Sequence, residues 1–145
     1  MTRLIDRFNA MVGGDAPGSA AGRLIGFRPM SIEPGKAIFE LEAGPQHANP
    51  MGTLHGGILC DVADAAMGTA FASTLDEGES FTTLELKINF LRPFWNGHLV
   101  ATARTVKAGR TIGLVECNVT DVDGKLVARA MSTCMTLRGE SSEGR

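Results

Sequence analysis

A pair of glycines stands where an irregular loop gives way to a helix. Gly56 and Gly57 end the segment 44–57, GPQHANPMGTLHGG, which is rich in Gly, Pro, Asn and His and fits no regular element. Glycine lets a ligand come close to the backbone, and the first N–H groups of a helix have no partner within it. Such groups can hold the negative charge that develops on oxygen during acyl transfer. A purely structural turn would also explain the two glycines.

An acidic residue follows within the helix. Asp64 lies about two turns into a segment, residues 57–74, that is rich in Ala, Met and Leu and has no proline. A carboxylate on a buried helix is costly unless it is hydrogen-bonded or paired. Asp64 is therefore either a structural acceptor or a general base or nucleophile whose pKa is raised by burial. Asp61, three residues earlier, lies near the same face and is the second candidate.

Other kinds of chemistry find no support in the sequence. Asn49 and His55 lie in the loop before the glycines, but His47 and His55 are eight positions apart, which is not a known zinc spacing. No nucleophile elbow, dinucleotide-binding fingerprint or phosphate-binding loop occurs. We therefore expect no metal in the site.

Length, charge and cysteine content indicate how many domains the protein has, which partners it can bind and where it is located. The 145 residues predict one domain, 1–145, of ordinary globular composition, with 43% hydrophobic and 21% charged residues. The net charge of −2 with no basic stripe argues against nucleic acid. Three cysteines without a CxxC pair, a charged N-terminus and an apolar stretch broken by Asp61 and Asp64 indicate a cytoplasmic protein without a membrane span.

The hydrophobic periodicity of the sequence predicts the helices and strands that must position these residues. A short amphipathic helix is expected at 2–12, followed by a loop to residue 22, and a polar, disordered tail at 138–145. Strands are predicted at 23–32, 36–43, 81–91, 98–107, 110–120 and 125–137, with the long helix at 57–74 and a hairpin turn at Asp123-Gly124. A helix that is apolar nearly all round must be buried. The predicted fold is α+β, with a curved antiparallel sheet wrapped around one central helix.

The segment 47–64, HANPMGTLHGGILCDVAD, closely resembles the hotdog-fold acyl-coenzyme A thioesterases, in particular those of phenylacetate degradation. The similarity extends from about residue 35 to 137 and includes Thr83 in FTTLELKINFLRP and the segment 107–111, KAGRT. The resemblance implies a hotdog fold and hydrolysis of an acyl-CoA to free acid and CoA. Coenzyme A would be part of the substrate, and no cofactor would be needed.

The resemblance also implies roles for individual residues. Asp64 would be the base that activates water, or the nucleophile that forms an anhydride. The N–H of Gly56 or Gly57 would hold the thioester oxygen, and Asn49 would position the water or the carboxylate. His55 would hydrogen-bond near the thioester and support the loop, and Thr83 would orient water. Contacts with the nucleotide phosphates are expected from the segment Lys107, Gly109, Arg110 and Thr111, and from Arg92. The site would form between two subunits, in a homodimer or a homotetrameric dimer of dimers.

Two other functions remain open at this level. A hotdog enoyl-CoA hydratase would share the fold but uses a different combination of histidine and acid. A non-catalytic acyl-CoA sensor would need a fused DNA-binding head, and only about 35 residues precede the common core. No motif identifies the acyl group: Trp95, Phe94, Phe90, Met51 and Met67 either line an acyl site or, for most of them, belong to the core.

Overall fold

A computed structural model describes residues 3–145. The elements in chain order are α1 Leu4–Val12, α2 Ala20–Ile25, β1 Phe27–Glu33, β2 Lys36–Ala43, α3 Gly56–Ala72, β3 Ser80–Phe90, β4 Gly97–Ala108, β5 Ile112–Thr120 and β6 Leu126–Leu137. Short 3₁₀ turns occur at Pro45–His47 and Gly139–Ser142. No helix in the described range is long and apolar enough to cross a membrane.

The six strands form one antiparallel sheet in the order β1-β2-β4-β5-β6-β3. The sheet curves around α3, which contacts all six strands. The predicted α+β hotdog fold is thereby confirmed. The order leaves β1 and β3 at the two edges, and β3, with 11 residues, pairs only with β6 on one side.

Small side chains allow α3 to lie close to the sheet. Ala63, Ala66 and Ala70 are fully buried against the strands, and a side chain on Gly113 of β5 would place its Cβ only 2.2 Å from the ring of Phe71. The predicted helix is confirmed, but its burial is incomplete. Gly57, Asp61 and Asp64 recur along one exposed face, because the curved sheet covers the helix on one side only.

The N-terminal prediction needs a correction. A second helix, α2, begins at Ala20, inside the predicted loop and strand. Its start is capped by the hydroxyl of Ser19, which accepts a hydrogen bond from the N–H of Gly22 at 2.9 Å. Gly26 ends it in the left-handed region, φ +104°, so the first strand starts only at Phe27. Thr2, the first residue of the predicted helix, lies outside the described residues.

The polar tail 138–145 begins with defined structure. Arg138 pairs with Glu79 at 2.6 Å, and the 3₁₀ turn Gly139–Ser142 follows. The hairpin predicted at Asp123-Gly124 is confirmed: Gly124 has φ +78°, and the Asp121 carboxylate accepts from the N–H groups of Asp123 and Lys125, each at 2.9 Å.

Candidate active site

The loop before α3 is shaped by the side chain of Asn49. Its Oδ1 accepts hydrogen bonds from the N–H groups of Met51 at 3.0 Å and Thr53 at 3.1 Å. Its Nδ2 donates to the hydroxyl of Thr53 at 2.6 Å. An amide that closes a turn on the backbone ahead of it holds a loop that has no ladder of its own. The Asn49 amide is thus engaged within the loop.

The ring of His47 anchors the same loop to the end of α2, a function that the sequence alone did not reveal. The ring is buried, accepts from the N–H of Gly44 at 3.1 Å through Nδ1, and donates from Nε2 to the carbonyl of Ile25 at 2.6 Å. A carbonyl only accepts and an amide only donates, so these partners define one neutral tautomer. The backbone carbonyl of His47 accepts from the N–H of His55 at 2.9 Å.

Hydrogen bonding at the start of α3 distinguishes the two candidate oxyanion donors, the N–H groups of Gly56 and Gly57. His55 is the N-cap residue, and its Nδ1 accepts from the N–H of Gly57 at 2.9 Å. The N–H of Gly56, the first helical residue, meets no acceptor among residues 3–145. The ring of Phe90 lies against Gly56, where an added Cβ would be 2.8 Å from Cζ. The free backbone donor at this end of the helix is therefore Gly56.

Asp64 is exposed in the single chain and lies in the wall of a concave surface. Loss of hydration raises its pKa above the usual value, and the neighbouring charge of Asp61 raises it further. A hydrogen bond from the hydroxyl of Thr83 opposes these two effects. Loss of hydration also raises the pKa of Asp61. Thr83 thus assists the charged form of Asp64, while its Oγ1 lies 3.8 Å from Sγ of Cys134.

The predicted residues divide between two depressions with no lining residue in common. A cavity of about 530 Å³, here called the acid cavity, includes Asp64 and Thr83 in its wall. A second depression of about 400 Å³, the glycine groove, is lined by residues that include Asn49, Gly56 and Arg92. A single chain therefore does not bring Asp64 and Gly56 to one point.

The cationic candidates also lie in two places. Arg92 follows β3 and forms an ion pair with Asp121 at 3.2 Å. Lys107, Arg110 and Thr111 are exposed in and beside the connection between β4 and β5. The turn requires glycine at Gly109, because a Cβ there would lie 2.7 Å from the carbonyl oxygen of Ile112.

Cross-strand register relates this connection to the acid cavity. Gly113 of β5 is opposite Cys134 of β6, which is opposite Thr83 of β3. Two strand spacings amount to roughly 10 Å, and the β4–β5 connection ends at Thr111, two residues before Gly113. The exposed cations of the connection therefore lie at the Thr83 end of β3, whereas Arg92 lies beyond its Phe90 end.

The thioesterase superfamily profile matches residues 51–128 of this sequence, more than half of the chain. The chain belongs to the thioesterase superfamily. The matched range begins in the loop before α3 and includes Gly56, Asp64 and Thr83, and it ends within β6. The first 50 residues, with α1 and α2, lie outside the match.

Individual relatives agree with this assignment. Human acyl-coenzyme A thioesterase 13 is 31% identical over 72% of this chain and 75% of its own length. The 1,4-dihydroxy-2-naphthoyl-CoA hydrolase of Listeria monocytogenes is 31% identical over 75% of this chain and 89% of its own length. A phenylacetic acid degradation-related protein of Ralstonia eutropha superposes with a TM-score of 0.80 and 34% identity, over 88% and 98% of the two chains.

This thioesterase is a thioester hydrolase, and its site residues fit that reaction. A thioester carbonyl needs an oxyanion donor and a base that delivers water or attacks directly. Gly56 has a free backbone N–H and Asp64 has an exposed carboxylate, which are groups of these two kinds. Residues 3–145 place no three His, Cys, Asp or Glu side chains together in the arrangement of a metal site.

Proposed function

We propose that this thioesterase hydrolyses acyl-CoA to a free acid and CoA in sites formed by two copies of the chain. The separation of Gly56 and Asp64 carries the proposal. Eight residues of α3 correspond to about 12 Å along the helix axis, and the two residues line different depressions. An oxyanion donor must lie about 3 Å from the reacting oxygen, and a base acts directly or through one water. One chain cannot apply both to the same thioester.

The free edge of β3 supports the pairing of two chains. An unpaired edge of 11 residues is a template for another strand, and Leu84, Phe90 and Leu91 along it are more than half exposed. Antiparallel pairing of two β3 strands about a twofold axis would set the Phe90 end of one against the Ser80 end of the other. The glycine groove of one chain would then face the acid cavity of its partner.

Each residue has a defined task in such a site. Asp64 activates water or attacks the carbonyl, and a positioned base contributes ~10²–10⁴ in rate. The N–H of Gly56 stabilises the oxyanion, a contribution of ~10²–10³. Thr83, whose hydroxyl favours the charged form of Asp64, orients the water. Asn49 and His55 fix the loop and the start of α3, and the Gly57 N–H is part of that cap.

The same pairing gathers the cations that would bind the CoA phosphates. Arg92 of one chain would approach the Thr83 end of its partner, where Lys107, Arg110 and Thr111 lie beside the turn at Gly109. A protein of net charge −2 binds a polyanionic nucleotide only through such local donors. A dimer of dimers and a cytoplasmic location remain predictions from the sequence.

The proposal is tested by complementation between two inactive variants. Gly56→Pro removes the donor at the first helical position, where proline is tolerated, and His55 already has the extended backbone that precedes proline, φ −64° and ψ 131°. Gly56→Ala is the matched control, because it adds the same contact with Phe90 but keeps the N–H. Asp64→Asn removes the base.

Thiol release from acyl-CoAs is measured for each variant and for mixed oligomers made by co-refolding. If the site is shared, one chain supplies Gly56 and the other Asp64, so an equal mixture of Gly56→Pro and Asp64→Asn regains about a quarter of wild-type activity, half of the dimers being mixed with one intact site each. An inactive mixture would place the whole site within one chain. Wild-type protein that releases no thiol from any acyl-CoA, but hydrates an enoyl-CoA or only binds CoA, would overturn the proposed reaction.

A further inference from the structure

The acid cavity has an outer wall made by the N-terminal helices. Phe8 and Met11 of α1 line it, as do Ser19, Gly22 and Arg23 of the loop and of α2. Strand β1, the face of α3 from Asp64 to Thr69, and β3 form the remaining walls. The part of the chain that the superfamily match leaves out thus closes a space into which the candidate base opens.

Along α3 the base stands at one end of this space. Asp64 is the first residue of α3 in the cavity wall, and Ala65, Gly68 and Thr69 follow it. Five residues of helix span about 7.5 Å, so the cavity extends past the carboxylate by at least that length. A group bound in it would begin at the reacting carbon and run away from it along α3.

We propose that this cavity holds the acyl group of the substrate and that α1, through Phe8 and Met11, sets the size of the acyl group that the enzyme accepts. This inference rests on the proposed acyl-CoA hydrolysis. Phe8 and Met11 lie three residues apart, so they present one face of α1 to the cavity. Their positions at the outer wall make them the natural limit on the length of a bound chain.

The side chains that line the acid cavity favour an apolar acyl group. Besides Phe8 and Met11, the wall carries the aromatic side chains Phe27, Phe39 and Phe81. Its two cations are already engaged: Arg28 pairs with Glu40, and Arg23 donates to a carbonyl of its own loop. Most of the lining is apolar, so a hydrocarbon or aryl group would bury its surface there, whereas a terminal carboxylate would lose hydration along the apolar walls and could pair only with the remaining guanidinium N–H groups.

The volume of the acid cavity indicates the size of the acyl group that it can hold. About 530 Å³ leaves room for roughly 15 to 18 non-hydrogen atoms at the ~30 Å³ that a water occupies in the liquid. An acetyl group would leave most of this space unfilled, whereas an apolar acyl group of roughly 8 to 14 carbons would occupy about half to four-fifths of it. Each methylene buried in the transition state raises kcat/KM by about fourfold.

The experiment compares kcat/KM for straight-chain acyl-CoAs from acetyl to palmitoyl, together with phenylacetyl- and succinyl-CoA. Wild-type enzyme is expected to prefer the apolar groups of intermediate length and to discriminate against succinyl. Phe8→Ala and Met11→Ala, which lengthen the cavity, should move the optimum to longer chains by roughly two or more carbons. Ala65→Leu, which fills the cavity from the α3 side, should move it to shorter chains.

Asn9→Ala is the matched control, since Asn9 is exposed on the same helix and does not line the cavity. The ratio of long-chain to acetyl activity is the readout, so a general loss of activity in a variant does not mimic the effect. Two α1 variants are used so that poor folding of one leaves the other. Hydrolysis that shows the same chain-length profile in wild type, Phe8→Ala, Met11→Ala and Ala65→Leu would overturn the acyl assignment and leave the proposed hydrolysis standing. No thiol release by wild type would overturn both.

Discussion

The buried imidazole of His47 joins the loop before α3 to the end of α2 by donating a 2.6 Å hydrogen bond to the carbonyl of Ile25. Its other nitrogen accepts from Gly44, at the start of the loop that leads to Gly56. The loop therefore rests on the N-terminal segment that also forms the outer wall of the acid cavity. One side chain connects the loop that carries the proposed oxyanion donor with the segment that walls the proposed acyl cavity.

We expect His47→Ala to destabilise the fold and to weaken catalysis. The substitution leaves the N–H of Gly44 and the carbonyl of Ile25 without their partner, and an unsatisfied buried polar group costs about 1–3 kcal/mol. The free energy of unfolding from urea titration should fall by an amount in this range. His98→Ala is the control, because the buried Glu40 keeps its pair with Arg28 when His98 is removed, and the other partner of His98, Glu42, is exposed, where a pair contributes about 0–1 kcal/mol. Equal stability of the two variants would contradict an anchoring function for His47.

Replacing the proposed base should cost activity without costing stability. Asp64→Asn is expected to lower kcat by ~10²–10⁴. Because the folded state raises the pKa of Asp64, ionisation of this carboxyl opposes folding. This destabilisation is absent below the usual carboxyl pKa and complete above the raised pKa. Asp64→Asn removes it, so the urea midpoint of the variant at neutral pH should equal or exceed that of wild type. A clearly lower midpoint would indicate that Asp64 serves the structure.

The acid limb of the pH–rate profile should move in opposite directions in two neighbouring variants. Loss of hydration raises the pKa of Asp64, the charge of Asp61 adds to the rise, and the Thr83 hydroxyl opposes it. Activity needs the carboxylate, so it should fall as the pH drops through this raised pKa. Asp61→Asn should move the limb to lower pH and Thr83→Val to higher pH. Shifts in one common direction, or none, would show that another group controls the limb.

The sequence predicted those parts of the fold that depend on local pattern. Strand alternation and the length of the apolar segment place β2, β4, β5, β6 and α3 within a few residues of their bounds. The helix α2 was missed because six residues are too few for a helical period, although Ser19 and Gly26 mark its two ends. Alternation in β3 fails at Leu84, where the register with β6 shifts and the side chain turns to solvent.

The site could be predicted only in part, because its geometry depends on contacts between distant segments. The motif at 47–64 predicts which residues take part in the reaction, but not that His55 accepts from the Gly57 N–H and leaves that of Gly56 free. It also gives no sign that Phe8 and Met11 close the cavity beside Asp64. The aromatic and methionine side chains that the sequence offers for an acyl site do not line this cavity: Met67 is in the core, Met51 is 80% exposed, and Phe90 and Phe94 line the glycine groove.

The proposed phosphate contacts predict a defect that depends on the nucleotide. Arg110→Gln and Lys107→Gln should raise KM for an acyl-CoA and leave kcat nearly unchanged, because an exposed cation far from the thioester attracts ground state and transition state equally. With the corresponding acyl-pantetheine, which lacks the nucleotide, the same variants should match wild type. Added salt should raise the wild-type KM for the CoA ester more than that of the variants, since it screens the attraction that they have lost. Arg129→Gln is the control, as its guanidinium is held by Glu116 and Asn118 in the middle of the sheet. Variants that raise KM equally for both substrates would place these cations outside the phosphate site.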